Sequence, residues 1–180
     1  MASLEPTFRN ATRDDALCIS VLAAHVFVHT YATFGIREAI AREVTEELST
    51  SAMAALLANP DVRFIVAEVA NHLVGFVQLK LHAENTAVAS HNAVEVVRLY
   101  VLERFASSGV GTGLLAKAEA LAAAHGGQHT WLTTWVGNTR ALAFYLRRGY
   151  TELGPTTYIF QGEHIENRLF VKALADRNHA

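Results

Sequence analysis

Three glycines at alternate positions, Gly109, Gly111 and Gly113, stand where a predicted strand gives way to a predicted helix. The first backbone N–H groups of a helix have no intrahelical partner, and the helix dipole makes that end positive. Glycine lets an anion approach these N–H groups closely, whereas a bulky side chain would keep it away. The segment RFASSGVGTG therefore predicts a loop that binds a phosphate or a diphosphate.

Three other kinds of glycine-rich loop are alternatives to this interpretation. A Walker A loop needs Lys and then Ser or Thr after its last glycine, whereas Leu114 and Leu115 follow here. A dinucleotide fingerprint needs GxGxxG in the first βαβ unit and an acidic residue at the end of the second strand, where Trp135 and Val136 stand. The third is a glycine turn that binds no ligand, and the residues that follow the loop argue against it.

The first half of the chain must build the elements that lead to the loop. A strand is predicted at 8–11, and Thr12 and Asp15 form a capping box for a helix that runs to about residue 30. Further helices are predicted at 37–48 and from about 49 to 59. The apolar positions of the first helix recur at helical spacing and are predicted to cover one sheet face: Leu17, Val21, Ala24 and Val28.

Strands at 63–69, 73–81 and 93–101 predict an antiparallel meander, and the long polar loop 82–92 is a candidate substrate rim. Gly126 and Gly127 stop the helix after the glycine loop, and a parallel strand follows at 129–136. The remaining elements are a helix capped by Asn138 or Thr139 and ending at Gly149, and extended segments at 150–153, 157–160 and 168–172. The fold class is α+β, a mixed sheet with a meander followed by a βαβ unit, in one domain over 1–180.

Two segments taken together resemble the GCN5-related N-acetyltransferase (GNAT) superfamily. The segment 106–111, ASSGVG, is similar to its coenzyme A loop, with Ala106 at the position of the usual Gln or Arg. The segment 138–150, NTRALAFYLRRGY, is similar to its run of Asn, Ala-x-x-Phe-Tyr and Gly-Phe. The resemblance extends from about Phe8 to the end, and the residues at 158–162 and 169–172 are similar to the subgroup that contains bacterial polyamine acetyltransferases of the PaiA type.

The resemblance implies how acetyl-coenzyme A is bound. Two central strands splay apart and the pantetheine arm lies between them, bonded to the main chain of the first strand, while N–H groups of the loop and serine hydroxyls hold the diphosphate. Asn138 would bond the pantetheine amide, although helix capping alone also explains an asparagine there. The expected coenzyme-binding residues are Leu99, Tyr100, Val101, Ser107, Ser108, Gly109, Val110, Gly111, Thr112 and Asn138.

Two residues are the candidates for proton transfer. Glu95 lies in the otherwise apolar strand AVEVVRLYV, where a carboxylate is costly unless it is exposed or functional. Its position before the loop is similar to that of the family's glutamate base, and an edge carboxylate without a catalytic role is the alternative. Tyr145 matches the family's tyrosine acid, which protonates the departing thiolate, and a core tyrosine with its hydroxyl at the edge is the alternative.

Composition limits the partners. With 15 Lys and Arg against 17 Asp and Glu, the chain of 180 residues has no basic field for nucleic acid. No signal peptide or membrane span is recognised, so a cytoplasmic protein without a membrane partner is expected.

Cys18 is expected to be a buried helical side chain. His25 and His29 have an i, i+4 spacing but no third ligand, so no metal is expected. Many members of the family that the chain resembles form dimers, so a homodimer is one of the expected states.

The resemblance predicts direct transfer of acetyl to a primary amine in a ternary complex. A polyamine or another small amine is favoured by the subgroup and by acidic residues that could attract cations, Glu38, Glu43, Glu46 and Glu47, although these also fit a solvated helix face. The alternatives are a protein N-terminus or lysine as acceptor, and a non-catalytic module that binds acyl-coenzyme A.

Overall fold

The computed structural model describes residues 5–88, 90 and 92–175. Within them, seven strands and five α-helices form a mixed sheet with helices, which confirms the α+β class. The strands are β1 (Thr7–Asn10), β2 (Val62–Val69), β3 (His72–Lys80), β4 (Ala93–Val101), β5 (His129–Trp135), β6 (Thr151–Phe160) and β7 (Glu163–Ala173). The helices are α1 (Ala16–Tyr31), α2 (Glu38–Arg42), α3 (Thr50–Ala58), α4 (Val110–Ala124) and α5 (Thr139–Arg147).

The strands pair in the order β1-β2-β3-β4-β5-β7-β6. Ala70 and Asn71 join β2 to β3, and both have positive φ (49° and 63°), as in the two-residue turns that match the twist of a hairpin. From β4 the chain passes through α4 to β5, which pairs with β4 in parallel. The predicted meander followed by a βαβ unit is therefore confirmed.

The chain divides into two compact units. The first unit contains Met1–Gln78 and Arg98–Lys117, and its core includes Phe64, Phe76 and Leu114. The second unit contains Leu79–Val97 and Ala118–Ala180, and its core includes Leu132 and Phe170. The prediction of a single domain over 1–180 stays a prediction.

The capping box predicted at Thr12 is present. The Thr12 N–H donates to Asp15 Oδ2 at 2.7 Å, and residues 13–15 form a 3₁₀ turn that leads directly into α1. Arg9 donates to both carboxylate oxygens of Asp15 at 2.8 Å and to Glu68 at 2.7 Å. These hydrogen bonds from the guanidinium hold the pKa of Asp15 at about 2. The cap therefore joins β1, α1 and β2 of the first unit.

Asp15→Asn is expected to lower the free energy of unfolding at pH 7 by about 1 kcal/mol, the usual value of a helix cap. Because the folded pKa of Asp15 lies below its unfolded value, its contribution is complete above about pH 4 and is lost as the pH falls toward 2. Urea unfolding of both proteins between pH 7 and pH 2.5 measures this. A difference that stays constant with pH would contradict the role of the ionised carboxylate.

Helix α1 does not bury the stripe that its spacing predicted. Leu17 and Val21 are 60% and 62% exposed, and the buried side chains are Ala16, Ile19, Ser20, Leu22, Ala23 and Phe27. Apolar residues occupy nearly every side of this helix, so periodicity could not identify the core-facing side. Cys18, expected to be buried, shares the exposed side.

The helix predicted at 37–48 is interrupted. Helix α2 ends at Arg42, and Glu43–Glu47 continues as a π-helical turn. Glu43 is buried, with its Oε1 3.9 Å from a guanidinium nitrogen of Arg98, which also donates to Gln78 at 2.7 Å. A buried carboxylate is costly unless a cation lies beside it, and Arg98 is that cation for Glu43. The carboxylate stands at the first residue of the π-helical turn, where the helix is wider than an α-helix.

The end of the sheet is more regular than predicted. The segments expected at 150–153 and 157–160 form one strand, β6, with a register shift between Glu152 and Gly154. Pro155 is tolerated because β6 is the last strand of the sheet. Strand β7 begins at Glu163 rather than at residue 168, because a two-residue turn pairs Phe160 with Glu163.

Part of the loop after β3 is buried, although its polar sequence predicted surface exposure. Ala83 and Val88 are buried against Trp131, and the Trp131 indole N–H donates to the Ala83 carbonyl at 2.7 Å. Residues 89 and 91 lie outside the described residues. The segment 82–88 thus covers one face of β5, and its role as a substrate rim stays a prediction.

Candidate active site

The glycine loop lies in the first unit and ends in helix α4. A 3₁₀ turn at Glu103–Phe105 precedes it, and Ser107 and Gly109 adopt positive φ angles of 69° and 87°. The first α-helical bond runs from the Gly113 N–H to the Gly109 carbonyl at 2.9 Å. The helix therefore leaves the N–H groups of residues 110–112 without an intrahelical acceptor. These are three of the donors that the sequence predicted.

The rest of the loop is braced from within. Ser108 donates to the Phe105 carbonyl through its N–H at 3.3 Å and through its Oγ at 2.6 Å. A Cβ added at Gly109 would meet nothing within 4 Å, so the space beside this residue is open. Ser107, Ser108 and Gly109 are exposed. The arrangement fits a diphosphate that approaches the backbone at Gly109, with Ser108 holding the turn.

Gly113 has a different reason to be glycine. A Cβ at this position would overlap the ring of Phe8 in β1. A Cβ at Gly75 of β3 would lie 2.9 Å from the Tyr100 carbonyl and 3.2 Å from both Leu114 and Val101. Close packing, and not ligand binding, therefore explains Gly113, and Gly75 lets the end of β4 and the start of α4 approach the same point of β3.

At the end of β4, the main-chain groups of the three residues expected to bond pantetheine do not all face the same way. Leu102 donates its N–H to the Val74 carbonyl of β3 at 2.9 Å. Because backbone groups alternate along a strand, the main chain of Tyr100 also points toward β3, while Leu99 and Val101 direct theirs away from it. The main-chain groups of Leu99 and Val101 are therefore better placed than those of Tyr100 to bond a ligand on the side of β4 away from β3. The Tyr100 ring packs edge-on against Phe76 at 5.5 Å.

Glu95 lies in the second unit, where the parallel pairing of β4 with β5 ends. The ladder consists of Ala93 with His129, Val94 with Thr130, and Glu95 with Trp131. Glu95 is half-buried between the buried residues Val94 and Val96. Its carboxylate therefore stands on the Trp131 face of the strand pair, with part of its surface open to solvent.

Tyr145 is buried in the second unit, with 8% of its surface exposed. Its ring centroid lies 5.6 Å from that of Tyr150 and 6.1 Å from that of Phe170. Phe170 pairs with Leu132 of β5, and Leu132 and Trp131 point to opposite faces because they are adjacent in a strand. The two candidates for proton transfer thus lie on opposite faces of the second unit's sheet.

Sequence reasoning missed the polar group behind Tyr145. The Tyr150 hydroxyl lies 2.9 Å from Thr130 Oγ1 in a buried contact, and Lys172 Nζ lies over the Tyr150 ring at 5.5 Å and donates to Glu119 at 2.8 Å. Burial raises the pKa of the Tyr150 phenol, and the charge of Glu119 raises it further. No spacing rule links these four positions, which come from β5, β7, α4 and the short segment between α5 and β6.

Asn138, Arg104 and Arg148 each make a contact within their own segment of the chain. Asn138 Oδ1 accepts from the Ala141 N–H at 3.1 Å and caps α5, as helix capping predicted. The guanidinium of Arg104 lies over the Phe105 ring at 5.1 Å, and that of Arg148 lies over Phe144 at 5.9 Å. Ala106 directly follows the 3₁₀ turn at Glu103–Phe105 and begins the loop.

The described residues contain neither a cluster suited to a metal ion nor a helix suited to a membrane. Within 5–88, 90 and 92–175, no three His, Cys, Asp or Glu side chains are grouped to hold a metal ion. His29 Nε2 lies 4.0 Å from Glu103 Oε2, and both side chains are more than half exposed. In the same part of the chain, none of the helices combines the length and the apolar character needed to cross a bilayer.

Residues 33–150 match the acetyltransferase (GNAT) family. Two relatives cover most of this chain. An uncharacterized N-acetyltransferase of Lactobacillus delbrueckii subsp. lactis is 22% identical over 153 residues, 85% of this chain and 88% of that protein. An uncharacterized N-acetyltransferase of Mycobacterium tuberculosis is 27% identical over 160 residues, 89% of this chain and 98% of that protein.

Solved structures show the same fold. The PaiA N-acetyltransferase of Thermoplasma acidophilum in complex with coenzyme A superposes with a TM-score of 0.70 at 21% identity, covering 91% of this chain and 98% of that one. NAA60 of Arabidopsis thaliana in complex with acetyl-coenzyme A gives 0.71 at 16% identity, covering 94% and 99%. The chain belongs to the GNAT family of acetyltransferases, which use acetyl-coenzyme A as donor.

Proposed function

We propose that this enzyme transfers acetyl from acetyl-coenzyme A directly to a primary amine of a small polyamine-like molecule, in a ternary complex. The observation that carries the proposal is the arrangement of backbone N–H groups at the start of α4, in a chain of the GNAT family. Three N–H groups at 110–112 lack helical acceptors beside Gly109, whose left-handed backbone leaves open space. This arrangement suits a diphosphate and explains why a glycine stands there.

The diphosphate and the pantetheine arm are assigned to the glycine loop and the end of β4 in the first unit, and the contact of Asn138 with the pantetheine amide stays a prediction. Residues 110–112 donate N–H groups to the diphosphate, the exposed Ser107 hydroxyl adds a donor, and Ser108 supports the turn through Phe105. Leu99 and Val101 offer main-chain groups to the pantetheine arm. One of their N–H groups stabilises the carbonyl oxygen of the thioester as negative charge develops on it.

Glu95 is assigned as the base. An alkylamine is largely protonated near neutral pH and attacks only after it loses a proton. The half-buried carboxylate accepts this proton directly or through a water molecule, and its partly open face lets the proton pass to solvent. An acceptor that loses its proton at Glu95 then approaches from the Trp131 face.

Tyr145 is assigned as the acid. As the carbon–nitrogen bond forms and the carbon–sulfur bond breaks, the coenzyme leaves as a thiolate, and the Tyr145 hydroxyl gives it a proton. A base and an acid on opposite faces suit a reaction in which one proton leaves the nucleophile and another reaches the leaving group. The two assignments are consistent with direct transfer, which requires no covalent enzyme intermediate.

The small-amine acceptor rests mainly on the resemblance of residues 158–162 and 169–172 to polyamine acetyltransferases of the PaiA type. The acidic residues that suggested cation attraction give limited support. Glu38 and Glu46 pair with Arg42 at 2.8 and 3.5 Å, and Glu43 is buried beside Arg98. Glu47 is the exposed member of that set for which no ion pair is seen in the described residues. The charge near α2 is therefore largely neutralised locally.

The test is release of coenzyme A thiol by the full chain with acetyl-coenzyme A and a panel of amines. The panel contains di- and polyamines, amino acids, and peptides with a free N-terminus or a lysine. Turnover highest with di- or polyamines, with intersecting initial-velocity lines, supports the proposal. Turnover confined to peptides would replace the acceptor class, parallel lines would replace direct transfer, and coenzyme binding without any product would make the protein a binding module.

Glu95→Gln is expected to lower kcat about 100-fold at pH 7, the usual value of a general base. The loss should shrink as the pH approaches the pKa of the amine, near 10, because more acceptor is then already deprotonated. Rates of both enzymes from pH 6.5 to 9.5 measure this. Glu68→Gln is the matched control, since it removes another half-buried strand carboxylate and should leave kcat unchanged. A loss independent of pH would assign the base elsewhere.

A further inference from the structure

The end of α5 connects Tyr145 to a second tyrosine. The Tyr150 N–H donates to the Tyr145 carbonyl at 3.1 Å, and the Gly149 N–H donates to the Leu146 carbonyl at 3.1 Å. Gly149 has a φ of 84°. These bonds define a Schellman motif, in which the residue after the glycine returns to contact the last helical turn. Here that contact is between the rings of Tyr150 and Tyr145, 5.6 Å apart and inclined by 67°.

The Tyr150 hydroxyl is held more firmly than the helix end requires. It lies 2.9 Å from the hydroxyl of Thr130, and neither residue has more than 3% of its surface exposed. Thr130 belongs to β5 and forms a pair with Val94 on one side and with Lys172 on the other. An apolar ring would complete the Schellman contact equally well, so the hydroxyl pair is an additional constraint on the ring.

A charged pair closes the other side of Tyr150. Lys172 Nζ lies 5.5 Å from the centre of the Tyr150 ring and donates to both oxygens of Glu119, at 2.9 and 2.8 Å. Burial raises the pKa of the Tyr150 phenol, with Glu119 and Tyr145 raising it further and Thr130 opposing. Tyr150 therefore stays protonated and is unsuited to give up a proton during turnover.

We infer that Tyr150 is a positioning residue for Tyr145, fixing the direction of the Tyr145 hydroxyl through a ring that Thr130, Glu119 and Lys172 hold in place. This inference rests on the proposed role of Tyr145 as the acid. Tyr145 is surrounded by rings, with Phe170 at 6.1 Å and Phe144 at 5.2 Å completing the contact. Among these three rings, Tyr150 is the one with a polar end fixed by a hydrogen bond, so its contact with Tyr145 helps to set the direction of the Tyr145 phenol.

The experiment compares Tyr150→Phe, Thr130→Val and Thr130→Ser in the full enzyme, measuring kcat, KM for acetyl-coenzyme A and Tm. The first two variants remove one partner of the hydroxyl pair at nearly constant shape, and each should lower kcat about tenfold with KM nearly unchanged. Thr130→Ser keeps a hydroxyl and should restore most of the rate. Ser20→Ala is the matched control, because it removes a buried hydroxyl that donates to the Leu48 carbonyl at 2.7 Å, and it should lower Tm without lowering kcat.

The same change is then made in the Tyr145→Phe enzyme. If Tyr150 acts through the Tyr145 hydroxyl, Tyr150→Phe should change kcat less than about twofold there. A fall in Tm with normal kcat, a rise in KM alone, or a tenfold fall that persists in the Tyr145→Phe background would each overturn the positioning role. If Tyr145→Phe itself leaves kcat unchanged, the proposed acid fails instead, and absence of transfer by the unmodified enzyme would refute the proposed function.

Discussion

Gly109→Val is expected to weaken the binding of acetyl-coenzyme A about 100-fold. Valine strongly disfavours the φ of 87° that Gly109 adopts, a strain of roughly 1–3 kcal/mol, and its side chain would fill the open space where the diphosphate approaches. A loop that relaxes from this backbone conformation in the free protein must regain it on binding, and each 1.4 kcal/mol of that cost lowers the affinity tenfold. Calorimetric titration with coenzyme A and acetyl-coenzyme A measures the change, and kcat at saturating donor should fall much less than the affinity.

Gly126→Val is the matched control for that prediction. Gly126 also has a positive φ, 80°, and open space around its added Cβ, but it follows the C-terminal end of α4 rather than preceding its N-terminal end. It should lower the free energy of unfolding to a similar extent while leaving coenzyme affinity within about twofold. Equal losses of affinity in both variants would mean that the fold, and not the loop, was disturbed.

Tyr145→Phe is expected to lower kcat about 100-fold with little change in coenzyme affinity. The ring contacts with Tyr150 and Phe170 should persist, since phenylalanine retains the ring and loses only the hydroxyl. Steady-state rates and calorimetric titration of the same preparations separate the two effects. The buried position of the ring makes a purely structural role the competing explanation, and that role predicts a lower Tm with normal kcat.

Tyr158→Phe serves as the control for Tyr145→Phe. Tyr158 lies in β6 and is 48% exposed, so Tyr158→Phe removes a tyrosine hydroxyl that is not part of the buried group of rings around Tyr145. Its kcat should match that of the unmodified enzyme. Should Tyr145→Phe also match it, a different group or solvent must protonate the departing thiolate.

Much of the fold could be predicted from local patterns. The strands of the meander, the capping box at Thr12 and the stop at Gly126 each depend on residues close together in sequence, and all three are present. The errors arose where the pattern of apolar residues fits more than one arrangement of the same element. Helix α1 is apolar on nearly every side, so its exposed stripe at Leu17 and Val21 could not be distinguished from its buried one.

The candidate site divides in a similar way. The loop around Gly109 and the cap at Asn138 are local, and both have the backbone arrangement that their sequence predicts. The roles of Gly113 and Tyr150 are not local. Gly113 is required by the ring of Phe8, and Tyr150 is held by Thr130, Glu119 and Lys172, so neither role could be read from neighbouring residues.

By itself the sequence determined the glycine loop at the start of α4, because hydrogen bonding and φ preference act between near neighbours. The resemblance of segments 106–111 and 138–150 to the GNAT family supplied Tyr145 as a candidate acid and, together with the apolar strand around it, Glu95 as a candidate base. Tertiary structure alone decided that Glu95 and Tyr145 lie on opposite faces of the second unit's sheet, and that Leu99 and Val101 direct their main chain away from β3. Strand register and pairing set these directions, and register depends on contacts between residues far apart in the chain.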